Sequence, residues 1–405
     1  MLRENGSAKA TMPAQVMEIC VLLALFPLFL VSCDAGIFSN ASWQASGLLN
    51  QQLRLIEVSR KASSTLYTGN AQGHIFASTT AGQNWHEQSN GLPLPNVIHA
   101  LSFDSGGQKL YLATDEGIFT KTEGAMAWRK ITAVGLPSTV FTALAFLPDN
   151  PNVVYVGTSD RGIFVSKDNG TSWTPSSDGM LQGIAVHDLS FDPIQKQLWA
   201  ATSAGAYRSE KRGASWQSFN NGLPSSISVN TIVPASVGGG AQGLLYMGTN
   251  HGVFLSHDSG VHWTTSSEAL SGVPIHRILV DFRSPNGATV YIATSVGVFQ
   301  STDSGQTWKS VASGLPKDAP VYTLIIGAAN NAQLYAAGNG IYEFPGTGGS
   351  VDPTRIVTYL VVAVFFFLLY RLATRGRRAQ RSILKPERDQ KTPIAGPSDD
   401  SPRLS

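Results

Sequence analysis

Seven tryptophans recur along the chain at nearly constant intervals. They stand at 43, 85, 128, 173, 216, 263 and 308, with spacings of 42, 43, 45, 43, 47 and 45; Trp199 alone is out of series. A period of about 40–50 residues with strand-like content is the mark of a β-propeller, each repeat being one blade. The repeats share one grammar. An alternating strand opens each ("VIHALSF", "VFTALAF", "AVHDLSF", "PIHRILV", "PVYTLII"). A second follows ("KLYLAT", "VVYVGT", "QLWAAT", "LLYMGT", "TVYIAT"), and a polar turn ending in Gly leads to a third ("GIFTK", "GIFVS", "GAYRS", "GVFLS", "GVFQS"). Another turn leads to a Trp-bearing fourth strand, and "GLP" often closes the repeat. Four antiparallel strands per repeat make a propeller blade.

The chain ends supply the closure. Residues 321–344 carry three strands and no Trp strand, while 36–43 ("GIFSNASW") carry a Trp strand and little before it. Together they complete a seventh blade and leave no open edge. The expected fold is therefore all-β, a seven-bladed propeller over 36–346, with both chain ends leaving the seventh blade where the third-to-fourth turn is cut. The face carrying those turns should lie towards whatever anchors the ends, and the opposite face, with the second-to-third turns and "GLP" links, should point away.

The third-to-fourth turn carries the pattern S-x-D-x-G-x-x-W. It is complete three times: Asp168, Gly170 and Trp173; Asp258, Gly260 and Trp263; Asp303, Gly305 and Trp308. Elsewhere Thr80 or Lys211 replaces the Asp, and "KTEGAMAW" shifts the Gly. A catalytic or metal site would not survive such losses around a ring, but a turn can. The Asp can accept backbone N–H bonds, the Gly supplies φ > 0, and the Trp buries a large ring beside a neighbouring blade. "DNG" at 168–170 is similar to the start of a calcium loop, but the later ligands and closing Glu are missing. His257 and His262 flank one turn and read as turn residues. No metal and no cofactor are expected.

These motifs resemble the Asp-box (bacterial neuraminidase repeat) propellers, a superfamily with sialidases, xyloglucan hydrolases, sortilin-type receptors and photosystem II assembly factors. The single seven-bladed domain is most similar to the photosystem II stability/assembly factor propellers. That resemblance implies a non-enzymatic protein that binds membrane-protein precursors. The chain departs from it by an added apolar C-terminal segment and the lack of an Arg-rich patch, and it has no Cys-rich module of the sortilin kind.

Both ends read as membrane segments. "ICVLLALFPLFLVSC" ends in Cys33 and follows Arg3 and Lys9. Its length suits a signal peptide over 1–33, and "LVSC" resembles a lipobox whose Cys33 would be lipidated; an uncleaved signal anchor is the alternative. After a linker at 347–354, residues 355–373 form a candidate transmembrane helix. Its 18 residues from Ile356 to Ala373 span roughly 27 Å, interrupted only by Arg371, whose long stem can snorkel. Arg371, Arg375, Arg377, Arg378, Arg381 and Lys385 crowd its C-terminal side, which puts the basic tail 374–405 in the cytoplasm and the propeller on the extracytoplasmic side. Residues 36–350 carry 17 Lys+Arg and 19 Asp+Glu, whereas 371–405 carry 9 and 4. The basicity belongs to the tail, so nothing points to nucleic acid. The two cysteines, Cys20 and Cys33, precede the propeller, which therefore has no disulfide.

An enzyme and a scaffold remain as alternatives. A sialidase needs an Arg triad, a Tyr–Glu pair and an acid; Arg54, Arg161 and Arg277 are the best three arginines and fall in different blades. The xyloglucan-hydrolase type needs two propellers and paired Asp, and Asp115, Glu116 and Asp160 read as solvated turn carboxylates. The expected function is a non-catalytic, membrane-anchored scaffold for another protein; the alternative is a glycan-binding or glycan-cleaving propeller. The candidate site is the axial mouth on the face away from the membrane. Aligned innermost strands give one column of Leu53, His99, Thr142, His187, Asn230, His276 and Tyr322. The next reads Arg54, Ala100, Ala143, Asp188, Thr231, Arg277 and Thr323. His99, His187 and His276, with Asp188 and Arg277, are the candidate binding residues.

Overall fold

A computed structural model describes residues 42–235, 243–284, 288–317, 319–327 and 333–344. Cys33, the apolar segments ending at Cys33 and spanning 356–373, the linker and the tail lie outside them. The described residues form seven four-stranded sheets. Blade one is Leu53–Val58, Leu66–Asn70, Ile75–Ser78 and His86–Glu87, paired in that order and antiparallel throughout. Blades two to six repeat it, with first strands Ile98–Phe103, Phe141–Leu147, Val186–Asp192, Val229–Pro234 and Ile275–Asp281. Blade seven takes Thr323–Ile326, Leu334–Gly338 and Gly340–Phe344 from the C-terminal side and Gln44–Gly47 from the N-terminal side. The ring closes as the two partial repeats foretell.

The closing strand lies at 44–47, after Trp43, rather than within 36–43. The other fourth strands behave alike: Arg129–Lys130 follows Trp128 and Thr174–Pro175 follows Trp173. The indole is therefore the anchor that starts the strand, and only about two residues beyond it reach the ladder.

Seven apolar clusters hold the ring, and each joins two adjacent blades, including seven to one. The core is thus seven wedges between sheets, with no single centre. Each periodic Trp packs back into the wedge shared with the preceding blade: Trp128 in the one–two wedge, Trp173 in two–three, Trp43 in six–seven. Its indole N–H often donates across the same gap, as Trp216 does to Ser176 O (2.6 Å) and Trp128 to Gln88 O (2.8 Å). The links are stapled to the same residues. The Trp263 amide donates to Asn221 O, and Gly222 at φ 90° lies so close that a Cβ would come 2.2 Å from Trp263 O. That contact is why the link opens with glycine.

The odd Trp199 has a place in the same plan. It occupies the second-strand position held by Tyr67, Tyr111, Tyr155, Tyr246, Tyr291 and Tyr335 elsewhere, and meets Trp263 edge-on at 6.3 Å. Three of the tyrosine hydroxyls donate to the third-to-fourth turn of the next blade, Tyr111 to Asn169 O (3.4 Å), Tyr155 to Arg212 O (2.7 Å) and Tyr335 to Ala81 O (3.1 Å).

In that turn, Asp168 Oδ1 accepts from the amides of Thr171 (3.1 Å) and Ser172 (2.9 Å) and from the Ser166 hydroxyl (2.8 Å). Asp258 and Asp303 repeat this with His262 and Thr307. The leading serine does as much, which the sequence reading overlooked. Ser166 Oγ accepts the Gly170 amide (2.7 Å), and Ser78 and Ser209 do the same in the repeats whose Asp is replaced. The backbone enters through consecutive left-handed residues, Asn169 (φ 58°) and Gly170 (φ 88°).

Candidate binding site at the axial channel

The first strands of successive blades touch one another in order around the ring, so they line the axial channel. They begin on the face that carries the second-to-third turns. Near that end the pairing register slips in six blades, between Leu53 and Leu55, Ile98 and Ala100, Phe141 and Ala143, Val186 and Asp188, Val229 and Thr231, and Ile275 and Arg277. Each slip is a β-bulge whose extra residue has no partner on the second strand. A bulge re-aims its side chain. The bulged residues are Arg54, His99, Thr142, His187, Asn230 and His276; Tyr322 precedes the equivalent strand of blade seven.

The register corrects the alignment of blade one. Leu53 pairs with Asn70 as Ile98 pairs with Thr114, and it is fully buried. Arg54, not Leu53, therefore belongs with His99 and His276. "QQLRLIEV" lacks the His or Phe landmarks of the other repeats, and an alternating strand reads equally well one residue out of step.

The bulged side chains bind blade to blade. Thr142 donates to Val186 O (2.5 Å), His187 Nδ1 to Val229 O (2.8 Å), Asn230 to Ile275 O (2.9 Å) and His276 Nδ1 to Val321 O (2.7 Å). A carbonyl only accepts, so Nδ1 carries the hydrogen in His187 and His276 and Nε2 is left for a ligand. His99 turns instead to Asp115 of its own blade, Nε2 to Oδ1 at 2.6 Å. The three imidazoles are thus tied to separate partners. No group of three metal-binding side chains occurs among the described residues.

Two further arrangements complete the mouth. The Arg54 guanidinium lies 4.2 Å above the Tyr322 ring, which stacks on His276 with centroids 5.3 Å apart. This stack runs over blades one, seven and six. Beside it, Asp188 accepts from Thr231 (2.8 Å) and pairs with Arg277 (3.3 Å), joining blades four, five and six. Arg54 itself enters none of the ion pairs of the described residues. Its stack holds the fork in place with its N–H donors unspent.

A cleft of about 530 Å³ adjoins the mouth between blades two and three, lined by Asp115, Glu116, Lys130, Thr139 and Val134 among others. Asp115 is common to both, since it also holds His99. Asp160 accepts from Thr139 at 2.5 Å and stands 4.0 Å from Arg161, so Arg161 is a rim residue and not a member of a triad with Arg54 and Arg277. His251 bonds to Asn250 in its own turn (2.9 Å). His262 Nδ1 meets Asp258 Oδ2 at 2.7 Å and belongs to the turn it flanks.

The sequence reading missed Glu57. It lies on the first strand of blade one, below Arg54. Burial pushes its carboxyl up to about 7, against the pull of Arg60, Arg277 and the Phe103 amide. The signal was present in the repeats. The same register position elsewhere holds Ser102, Ala145, Ser190, Val233, Leu279 and Ile325, so Glu57 is the one charged member of its ring.

No family model matches the chain, and no curated protein matches it. Among solved structures it is similar to YCF48 bound to D1 peptide, at TM-score 0.60 and 16% identity over 76% of this chain and 98% of that one. YCF48 from Cyanidioschyzon merolae gives TM-score 0.56 and 16% identity over 76% and 99%. The GH74 xyloglucanase from Xanthomonas campestris gives 0.59 and 16% over 78% and 55%. At these identities the likeness is one of fold: a seven-bladed propeller shared by a protein described with a bound peptide and by a glycoside hydrolase.

Proposed function

We propose that this chain is a membrane-anchored, extracytoplasmic Asp-box propeller that binds another protein at its axial mouth and serves as a non-catalytic scaffold for assembly. One observation carries the reading: six bulges aim polar side chains at the mouth, and Arg54 is held there on Tyr322 with its donors unspent. Such a fork suits a carboxylate or carbonyl of a partner chain. The adjoining cleft, with apolar Val134 beside Asp115 and Lys130, offers both apolar and charged contacts to a partner's side chains. The acids of this face are engaged in positioning: Asp115 with His99, Asp160 with Thr139, Asp188 with Thr231 and Arg277. That favours recognition over acid–base chemistry. The likeness in fold to YCF48 bound to D1 peptide agrees with a polypeptide partner, and the apolar segments at Cys33 and 356–373 agree with a membrane location.

The test uses the full-length protein in its native membrane. A photo-crosslinking residue at Thr132, on the cleft wall, should capture a discrete protein, and Arg54→Ala should abolish that capture while leaving the melting temperature within about 1 °C, as for an exposed side chain without ion pairs. Binding on a glycan array that survives Arg54→Ala, with no protein captured, would replace this reading with the glycan one.

A further inference from the structure

The axial channel holds an acid with no matching cation. Glu57 is part-buried on the innermost strand. Its register partner Tyr67 packs against Phe103 of blade two, so the carboxyl lies on the side of blade one that faces blade two. The groups around it can be enumerated. On its own blade they are Arg60, in the turn that follows, and Tyr67. From blade two comes the Phe103 amide, and from blade six comes Arg277. Neither arginine reaches it: none of the ion pairs of the described residues includes Glu57. Arg277 is held on the other side by Asp188, and Arg60 leans outward to Ser105 O (3.4 Å). The stretches 236–242, 285–287 and 328–332, which also connect first to second strands, contain no Lys or Arg. One more polar group on the same ring is unspent, for the Ser190 hydroxyl is buried without a hydrogen-bond partner.

A part-buried carboxylate whose two neighbouring arginines are engaged elsewhere costs free energy unless something positive meets it. We infer that Glu57 is the inner subsite of the channel and takes a primary ammonium or guanidinium, the head of a Lys or Arg side chain entering from the mouth. The ring at this level is built from Ser102, Ala145 and Ser190 on one arc and Val233, Leu279 and Ile325 on the other. Glu57, the one charged member of that ring, would receive the N–H donors of the head group. This deepens the protein-binding reading by naming what the partner presents, but it stands on the channel alone and is testable without the partner.

The ligand competes with a proton, since only the ionised carboxyl attracts it. By linkage, a bound cation must lower the carboxyl's titration midpoint. The full-length protein in detergent, with ¹³C in its glutamate carboxyls, is titrated by NMR at constant ionic strength with n-butylammonium, methylguanidinium or sodium chloride. A probe at about ten times its dissociation constant should move the Glu57 midpoint down by about one pH unit, a tenfold rise in the proton concentration needed, whereas sodium should not. Glu57→Gln should weaken the probe at least about tenfold, and Glu210→Gln, in the third-to-fourth turn of blade four, should not abolish the shift. A midpoint that does not move, or moves equally in sodium, overturns the inference even if Glu57→Gln fails to fold. Loss of protein capture with an intact probe shift would instead sink the scaffold reading and leave this one standing.

Discussion

Removing the Trp43 side chain should open the ring at one place. The closing strand Gln44–Gly47 is a non-covalent latch, since its partner strand lies at the far end of the described chain. Fixing four residues costs about 1–2 kcal/mol each, or about 4–8 kcal/mol. The ladder returns little: Gln44 and Ala45 are exposed, the register slips before Gly47, and the few net hydrogen bonds contribute about 1 kcal/mol each. Trp43 supplies the balance. It is 3% exposed, packs 5.2 Å from Phe344, and donates through its indole to Val311 O and through its amide to Ser313 O. A buried Trp cut to Ala costs about 3–5 kcal/mol. Latching therefore changes from slightly favourable to unfavourable in Trp43→Ala. Hydrogen exchange at the amides of Gly340–Phe344 that face the closing strand should accelerate by about tenfold, the limit a slightly favourable latch sets, ahead of the other blades. Trp216→Ala, whose short strand stays tied to its own blade, should lose similar global stability without singling out 340–344. Equal acceleration in both variants, or unchanged protection of 340–344 in Trp43→Ala, would refute the latch.

Gly222→Ala should lower stability by about 3 kcal/mol or more, because the new methyl meets backbone at 2.2 Å, whereas Gly124→Ala, with nothing within 4 Å of its Cβ, should show only the left-handed backbone cost of about 1–2 kcal/mol; denaturant midpoints compare them, and equal losses would deny the staple. The three acidic turns should make the fold acid-sensitive. At Asp168 the bonds from Ser172, Ser166 and Thr171 hold the carboxyl at about 2. At Asp258 and Asp303 desolvation opposes ionisation, but bonds from His262 and Ser256, and from Thr307, Ser301 and Gln306, prevail and also hold about 2. Folded values below the ordinary 3.8 give stability that is complete above about 4 and is lost as pH falls towards 2, so replacing all three by Asn should flatten the stability profile in that window; an unchanged profile would count against the turn bonds. His187→Ala and His276→Ala should each cost about 1 kcal/mol in thermal melts through the lost inter-blade bond, unlike Arg54→Ala, which should cost nothing measurable.

The parts of the fold legible in the sequence are those set by large, regularly spaced groups. Tryptophans placed the blades, and the missing Trp strand at 321–344 with the surplus one near Trp43 placed the closure. The exact closing strand was less legible because the indole marks the start of a strand only about two to four residues long, which leaves no alternation to read. The placement of the candidate residues was legible in part. His99, His187, His276, Asp188 and Arg277 all lie near the start of first strands, yet their alignment depended on a bulge, and an extra residue breaks the two-residue period that strand reading relies on. Arg54 slipped a column for that reason. Glu57 went unremarked because its meaning lies in contrast with six other strands, which only a correct register brings level. The tyrosine of the second strand was visible in four of the five quoted repeats, but the hydroxyls of Tyr111, Tyr155 and Tyr335 act on the neighbouring blade, beyond any pattern within one repeat.

The closing strand enters where its partner strand leaves: Gln44 sits opposite Glu343, and Trp43 touches Phe344. The two leads of the propeller therefore depart from the same end of one antiparallel pair. Tension that draws those leads apart loads the pair as a zipper, one rung at a time, and not in shear across all rungs together. The indole of Trp43 is the first tooth such a pull would meet, which makes this junction the mechanical fuse of the ring.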